Sequence, residues 1–592
     1  MRETFPVWRR EWQHRSANEP ALEKCVHRLI PLCLLLLCAP ANADTDARRG
    51  MVAAAHPLAV AAGVEILHAG GSAIDAAVAV QMVLSLVEPQ ASGIGGGAFL
   101  LHFDAGTGQT TSWDGRETAP AAVRPDLFLD RDGKPMAFID AVLGGRSVGV
   151  PGTLRMLEAA WKQHGKLPWA DLFAPAIRLA TEGFPISARL ANSIVANAGG
   201  LGRQAEARRF FTMADGSPLP EGTVLRNPAL AETLRTIAAG GADALYRGPI
   251  AADIAAAVRT DPNPGLMTTD DLAAYQAKER PPVCGEYRQH QVCGMGPPSS
   301  GGVAVLQILG MLSHENLPDM DPDGLKAAHL ILDAMRLAYA DRDRFLADND
   351  YVAVPVPGLL DAGYLAERAK LLDPARAIAL PMAGDPSWVG AIGPAAVQPN
   401  ASQAPSPEHG TSHMAIVDDA GDAVSMTSTV EGPFGSHLMV RGFMLNNQLT
   451  DFAFLPVVDG RPVANRAEPG KRPRSSMAPS LVFDADGKLR AAIGSQGGSR
   501  IIGFVSLALV RMLDWHLTPQ QAAAAPRMQT MGGTVELEAG TTAAGLADGL
   551  TALGHTVRVM RVDSGLQAIA IGADRMPSGG ADPRREGVAV GN

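Results

Sequence analysis

Residues 410–430 read GTSHMAIVDDAGDAVSMTSTV. From His413 the segment alternates and turns as a β-hairpin does, which puts Thr411, directly after Gly410, at the first position of a strand. A threonine hydroxyl is a weak nucleophile unless a base lies within hydrogen-bond reach. If the Gly410–Thr411 bond is cut, Thr411 gains a free α-amine beside its own hydroxyl. That amine titrates near ~8, against roughly 10.4 for lysine, so much of it is neutral near physiological pH and can accept a proton. Nucleophile and base are then one residue. The plainer alternative is that Thr411-Ser412-His413 is an ordinary strand start.

Upstream of this stretch, residues 374–410 are rich in Pro, Ala, Gly and Ser without periodicity, and read as a mobile linker ending at the proposed cut. LKAAHLILDAMRLAYADRDRFL (325–346) reads as a long helix, and residues 152–280 are mostly helical in pattern. HPLAVAAGVEILHAGG (56–71) reads as an amphipathic helix ending at Gly70-Gly71, followed by a second helix with Ser72 and Asp75 at its start. AFLLHFD (98–104) and TTSWD (110–114) form a strand pair. After Thr411 strands dominate, then comes the helix IGFVSLALVRML (502–513). Strands in the middle with helices before and after suit an α/β (α+β) fold of two stacked antiparallel sheets between helical layers.

The chain has 592 residues, 46% of them hydrophobic and 19% charged, which is ample core material and not the composition of a disordered protein. Its formal net charge of −10, with no basic stripe, argues against a nucleic-acid surface. LIPLCLLLLCAP (29–40) follows Lys24, His27 and Arg28 and precedes Ala41-Asn42-Ala43. Basic region, short apolar region and A-x-A end read as a secretory signal over 1–43, cut after Ala43, hence an exported protein, periplasmic or secreted. The first 23 residues are long and polar for such a signal, which suits a start codon assigned too far upstream. Leu37 before Cys38 speaks against a lipid anchor, and no stable membrane anchor is expected. Of five Cys, Cys25, Cys33 and Cys38 leave with the signal. Cys284 and Cys293 remain; if Arg288-Gln289 form a two-residue turn, residues whose numbers sum to 577 pair, and these two do. They would be a non-hydrogen-bonded pair with Cα atoms roughly 4.5 Å apart, within disulfide range. A bonded and a reduced pair both remain open. No His or Cys cluster has metal spacing, so neither metal nor cofactor is implied.

Eight segments, in order, resemble the γ-glutamyltransferase family of N-terminal-nucleophile hydrolases: GMVAAAHPLAVAAGVEILHAGGSAIDAAVAVQ (50–81), VEPQASGIGGGAFLLHFD (87–104), WDGRETAPA (113–121), GPPSSGGVAVLQIL (296–309), HGTSH (409–413), MLNNQLTDF (444–452), PGKRPRSSMAP (469–479) and GSQGGSRI (494–501). The resemblance runs from about Gly50 to Leu537. It implies an αββα sandwich and self-cleavage at Gly410–Thr411 into a large subunit (44–410) and a small one (411–592) that stay together as a heterodimer. It also implies γ-glutamyl transfer from glutathione or another γ-glutamyl donor to water, an amino acid or a dipeptide. Thr411 matches the nucleophile and Thr429 the second threonine that orients it. Gly497 and Gly498 match the oxyanion-hole pair, where glycine admits close approach of the main chain. Arg116 matches the arginine that clamps the substrate α-carboxylate, and Ser475 and Ser476 the serines that donate to it. Asp451 matches the acid that holds the α-ammonium, and Gln448 a polar contact beside it.

Two departures stand out. Glu431 takes the place of an Asn, and Thr450 the place of a second Asp, an exchange that would keep the head site acidic. The stretch between Asp451 and Ser475 is short for a full lid and lacks its Tyr, which bears on the balance of hydrolysis and transfer. GIGGG (93–97) lacks the strand-before, helix-after context and the GK[ST] of a phosphate loop, so nucleotide binding is rejected. Ser412 beside His413 has no GxSxG elbow around it. The competing functions are a β-lactam side-chain (glutaryl) acylase, for which an acid at 451 would be superfluous, and a secreted binding protein that never matures.

Overall fold

Two antiparallel sheets carry the hairpin and everything around it. In the computed structural model, which describes residues 50–260, 262–394, 401 and 410–591, the strands of these sheets before residue 410 are β1 (Met51–Ala54), β2 (Gly97–Asp104), β3 (Gln109–Gly115), β4 (Lys278–Arg280), β5 (Val283–Tyr287) and β6 (His290–Gly294). After it come β7 (Ser412–Val417), β8 (Ala423–Thr429), β9 (Ser480–Phe483), β10 (Leu489–Gln496), β11 (Gly565–Ile571), β12 (Pro577–Ala581) and β13 (Val588–Gly591). One sheet has the order β13-β1-β7-β8-β2-β3-β4, the other β12-β11-β10-β9-β6-β5. Both sheets combine strands from either side of residue 410. The signal reading of 1–43 and residues 395–400 and 402–409 of the linker lie outside the described residues.

The helices that cover the sheets are α1 (Pro57–His68), α2 (Ala73–Val87), α3 (Gly301–Leu312), α4 (Leu325–Phe345) and α5 (Ile501–Leu513), of which all but α3 are those the periodicity predicts. α1 and α2 pack on the first sheet, α3 and α5 on the second, and α4 lies against α3. Together the layers make the αββα sandwich. Gly70, at φ 86°, ends α1 in a conformation that suits glycine. A reciprocal capping box starts α2, Asp75 N donating to Ser72 Oγ (3.2 Å) and Ser72 N to Asp75 Oδ2 (2.9 Å). Both sides of α2 are buried, because Val83, Leu84 and their neighbours meet the sheet on one face and further helices on the other. Each such side chain contributes roughly 1.5–3 kcal/mol. Between the sheets the core is thinner, built from Leu101, Phe103, Ala415, Val417, Leu481 and Ile569 among others.

The hairpin β5–β6 turns at Arg288, which has φ 57°. Cys284 pairs with Cys293 in its register, and the two are joined by a disulfide with Cα atoms 4.1 Å apart. The linker of the sequence reading is described over 374–394, at 401 and at 410. It has neither helix nor strand, yet Arg336 Nη1 donates to Ile378 O (2.6 Å), Arg368 Nη2 to Met382 O (2.9 Å) and Gly384 N to Asp341 Oδ1 (2.8 Å). Irregular backbone is held there by side chains of helices, which composition does not show.

Candidate active site

β7 lies between β1 and β8 in the middle of its sheet, and every residue of it is buried. Its register pairs Ser412 with Ser428, which sets Thr411 opposite Thr429. The Thr411 hydroxyl donates to the carbonyl of Gly410, the residue before it. Thr429 Oγ1 donates to the same carbonyl (2.8 Å) and lies 3.4 Å from Thr411 Oγ1. Glu431 N donates to Thr429 Oγ1 (2.8 Å), so the second threonine is itself held in place. Ser412 points to the other face, donating to Glu88 Oε2 (2.7 Å). His413 points between the sheets onto Thr427 Oγ1 (2.9 Å), and burial pushes its imidazole down to about 3. A neutral imidazole facing away from Ser412 cannot be that serine's base, which disposes of the Ser/His alternative.

Arg116 directly follows β3 and is 1% exposed. Its guanidinium donates to Pro473 O (3.1 Å) and Arg474 O (3.2 Å) and forms an ion pair with Asp451. Gln448 Nε2 bridges Asp451 Oδ2 (2.7 Å) and Glu431 Oε2 (3.1 Å). Arg116, Glu431, Gln448 and Asp451 are thus one buried network, assembled from a strand end, the residues after β8 and a 3-10 turn over Gln448–Asp451. Thr450 belongs to that turn and bonds Asn447 O (2.8 Å). Ser475 and Ser476 follow the two carbonyls that hold Arg116. Ser476 Oγ accepts from Arg342 Nη2 (2.6 Å), and Ser475 Oγ from Met477 N (3.1 Å). Among the described residues neither is hydrogen-bonded to Arg116. Gly497 (φ 136°) and Gly498 (φ 58°) make the turn from β10 into α5, a conformation that other residues adopt only with strain. A Cβ on Gly497 would also overlap the Phe504 ring. Tyr339 of α4 fixes this turn by donating to Ser499 O.

The Thr411 hydroxyl thus lies on the carbonyl before it, Gly497 shares a cavity wall with Gly410, and a buried arginine sits among acids. The family model for gamma-glutamyltranspeptidase matches residues 59–592. The protein is a member of that enzyme family. It is 39% identical over 547 residues to the glutathione hydrolase proenzyme of Bacillus subtilis strain 168, covering 92% of this chain and 91% of that one. It is 36% identical over 549 residues to the glutathione hydrolase proenzyme of Escherichia coli K12, covering 91% of each. Among solved structures it resembles the cephalosporin acylase from Bacillus halodurans, with a TM-score of 0.79 at 28% identity over 92% of this chain and 96% of that chain.

In this gamma-glutamyltranspeptidase-family chain, sequence reading missed Glu117. It is fully buried, 3.8 Å from Arg116, and burial pushes its carboxyl up to about 8. Only its adjacency to Arg116 hinted at it. The GIGGG loop serves close packing: a Cβ on Gly95 would overlap the carbonyl of Met444, and one on Gly96 that of Thr429. Folding also gathers a set that spacing did not show, His329, Asp333 and His555, all buried. These atoms already bond one another and their surroundings: His329 Nδ1 to His555 Nε2 (2.8 Å), His329 Nε2 to Asp373 O (2.7 Å) and Asp333 Oδ1 to Arg336 (2.9 Å). With a guanidinium on its only carboxylate, the set reads as a polar network.

Proposed function

We propose that the precursor cuts itself at Gly410–Thr411 and that Thr411 then transfers γ-glutamyl groups from glutathione-like amides to water or to amino acid or dipeptide acceptors. The observation that carries this reading is the Thr411 hydroxyl lying on the Gly410 carbonyl with Thr429 beside it. In maturation, Thr411 Oγ bonds the Gly410 carbonyl carbon, the Gly410–Thr411 C–N bond breaks and water hydrolyses the resulting ester. Thr411 keeps its hydroxyl and gains an α-amine. In turnover that hydroxyl adds to the γ-carbonyl while the α-amine takes its proton and passes it to the leaving amine. Gly497 and Gly498 N–H groups stabilise the oxyanion, and water or an acceptor amine releases the acyl group. The substrate's zwitterionic head replaces the internal ion pair, its carboxylate going to Arg116 and its ammonium to Asp451 and Glu431, with Ser475 and Ser476 lining the carboxylate. The relatives named as proenzymes of glutathione hydrolase support maturation and substrate class alike.

The subunits 44–410 and 411–592 would stay joined because β1 and β2 flank β7 and β8 in one sheet. Export to the periplasm or medium rests on the signal reading; no helix of the described residues is long and apolar enough to cross a membrane. The acylase reading has a structural relative in its favour, but the acids around Arg116 have no use for a glutaryl group, which carries no ammonium.

N-terminal sequencing of the smaller band of purified protein should give Thr-Ser-His-Met, and that preparation should release p-nitroaniline from γ-glutamyl-p-nitroanilide. Thr411→Ala should abolish both cleavage and turnover, and Thr411→Ser should keep some of each. Turnover by the alanine variant would place the nucleophile elsewhere.

A further inference from the structure

Apart from Asp75 in its capping box, the polar residues of α2 are Gln81 and Ser85, and Glu88 follows the helix directly. All three are buried, where a polar side chain is costly unless it is hydrogen-bonded. Their spacing of four and three puts them on one face. That face meets the back of the two catalytic strands. Gln81 Oε1 accepts from Ser428 Oγ (2.6 Å), and Glu88 Oε2 accepts from Ser412 Oγ (2.7 Å). Ser92, in the turn after α2, donates its own hydroxyl to Ser412 Oγ (3.0 Å). Ser412 and Ser428 are paired in the ladder and adjoin Thr411 and Thr429. Side chains alternate across a strand, so the serines face α2 while both threonines face the Gly410 carbonyl.

The two serines differ in what a cut at Gly410–Thr411 does to them. Ser428 lies inside a continuous strand, whereas Ser412 becomes the second residue of a new chain. β1 pairs with β7 only over Met414–Val417, so Ser412 and His413 have β8 as their ladder partner and β1 does not reach them. The bond from Gly410 N to Glu431 O (2.6 Å) lies on the other side of the cut and does not hold Thr411 afterwards. A chain end held along one edge frays unless something ties it down. Glu88 and Ser92 precede the cut and grip Ser412 from outside the sheet. Arg189 Nε, 3.6 Å from Glu88 Oε1, pairs the other oxygen of that carboxylate.

We infer that Glu88, with Ser92, is a positioning residue for turnover: it grips the second residue of the matured chain so that Thr411 keeps its hydroxyl in place once its own N-terminus is free. The inference rests on the self-cleavage and γ-glutamyl reading above. In the precursor Thr411 is tied into the chain on both sides, so self-cleavage needs the grip less than turnover does. Arg116 and Asp451 take no part in these bonds, so the effect falls on kcat and leaves the donor KM in place.

The test times self-cleavage on a gel and measures steady-state kinetics with γ-glutamyl-p-nitroanilide for the wild type and four variants. Loss of a charge-assisted hydrogen bond predicts a kcat at least about tenfold lower in Ser412→Ala, with the donor KM within about twofold and self-cleavage complete. Ser412→Thr keeps the hydroxyl and should recover part of that loss. Glu88→Gln, which keeps an acceptor oxygen without the charge, and Ser92→Ala should each lower kcat by about threefold or more. These two milder changes carry the test if Ser412→Ala does not fold. A kcat unmoved in Glu88→Gln and Ser92→Ala, or a Ser412→Thr no better than Ser412→Ala, would overturn the positioning role. So would self-cleavage that fails in step with turnover, the result of a contact that only supports the fold. A wild type that matures and never releases p-nitroaniline would overturn the donor reading, and this inference with it.

Discussion

Arg116 sits in an almost waterless position, between two backbone carbonyls and Asp451, so its geometry matters as much as its charge. Lysine keeps the charge but not the planar fork that meets a carboxylate with two bonds. Arg116→Lys should therefore raise the donor KM by roughly 10–150-fold, the value of a charged hydrogen bond at ~1.4 kcal/mol per tenfold, while self-cleavage proceeds. Steady-state kinetics with γ-glutamyl-p-nitroanilide decides it; an unchanged KM removes Arg116 from the head site. Asp451 and Glu431 are joined through Gln448, and both can face the substrate ammonium. Asp451→Asn should then cost γ-glutamyl turnover far more than glutaryl turnover, and adding Glu431→Gln should widen the loss. Equal losses of kcat/KM with both donors would mean that the acids only support structure, and would favour an acylase. Motifs made Thr411, Arg116 and Asp451 legible. They could not show that Glu431 and Asp451 share one amide, since a bond between side chains 20 residues apart is a product of folding.

β7 has to present Thr411 from the middle of a sheet, and the spacing to the opposite sheet is set where His413 meets Gly494 of β10. A Cβ on Gly494 would overlap the imidazole, which Thr427 and the surrounding core keep in place. Gly494→Ala should cost about 1–3 kcal/mol, as overpacked cores do, and slow self-cleavage by moving the start of β7. Thermal midpoints of Gly494→Ala, His413→Ala and the double variant form the check. Removing the ring makes room, so the double variant should be more stable than the summed single losses; simple additivity would put the cause elsewhere. Hairpins and helices at this scale were readable from alternation and caps. The hydrogen bonds that Ile378, Met382 and Gly384 make with side chains of distant helices were not, because composition does not show them.

At the scale of the whole molecule, buried ionisable groups should tilt stability with pH in two directions. Burial pushes the imidazoles of His102 and His413 down to about 3 and that of His437 down to about 4. The unfolded chain takes up these protons below ~6.5 and the native protein does not, so stability falls as pH drops from there toward 4, by about 1.4 kcal/mol per pH unit per proton. Glu117 acts the other way: raised from 4.5 to about 8 by burial, it keeps its proton only in the folded state, and stability is lost as pH rises through that window. Glu117→Gln should accordingly gain in thermal midpoint relative to the wild type from pH 5 to pH 8; a constant difference would mean that Glu117 is ionised throughout. The sequence alone determined most of the helices and strands, the layered fold and the family, and it put Thr411 forward as the nucleophile. Those follow from periodicity and from local motifs that each need only their own neighbours. Tertiary structure alone decided that β7 and β8 lie between β1 and β2, and that Glu117 is buried against Arg116. It also decided that four arginines from separate segments line a cavity beside Gly410. Each is a matter of which distant segments share a volume, and solvation and charge in that volume do not exist until the chain has closed around it.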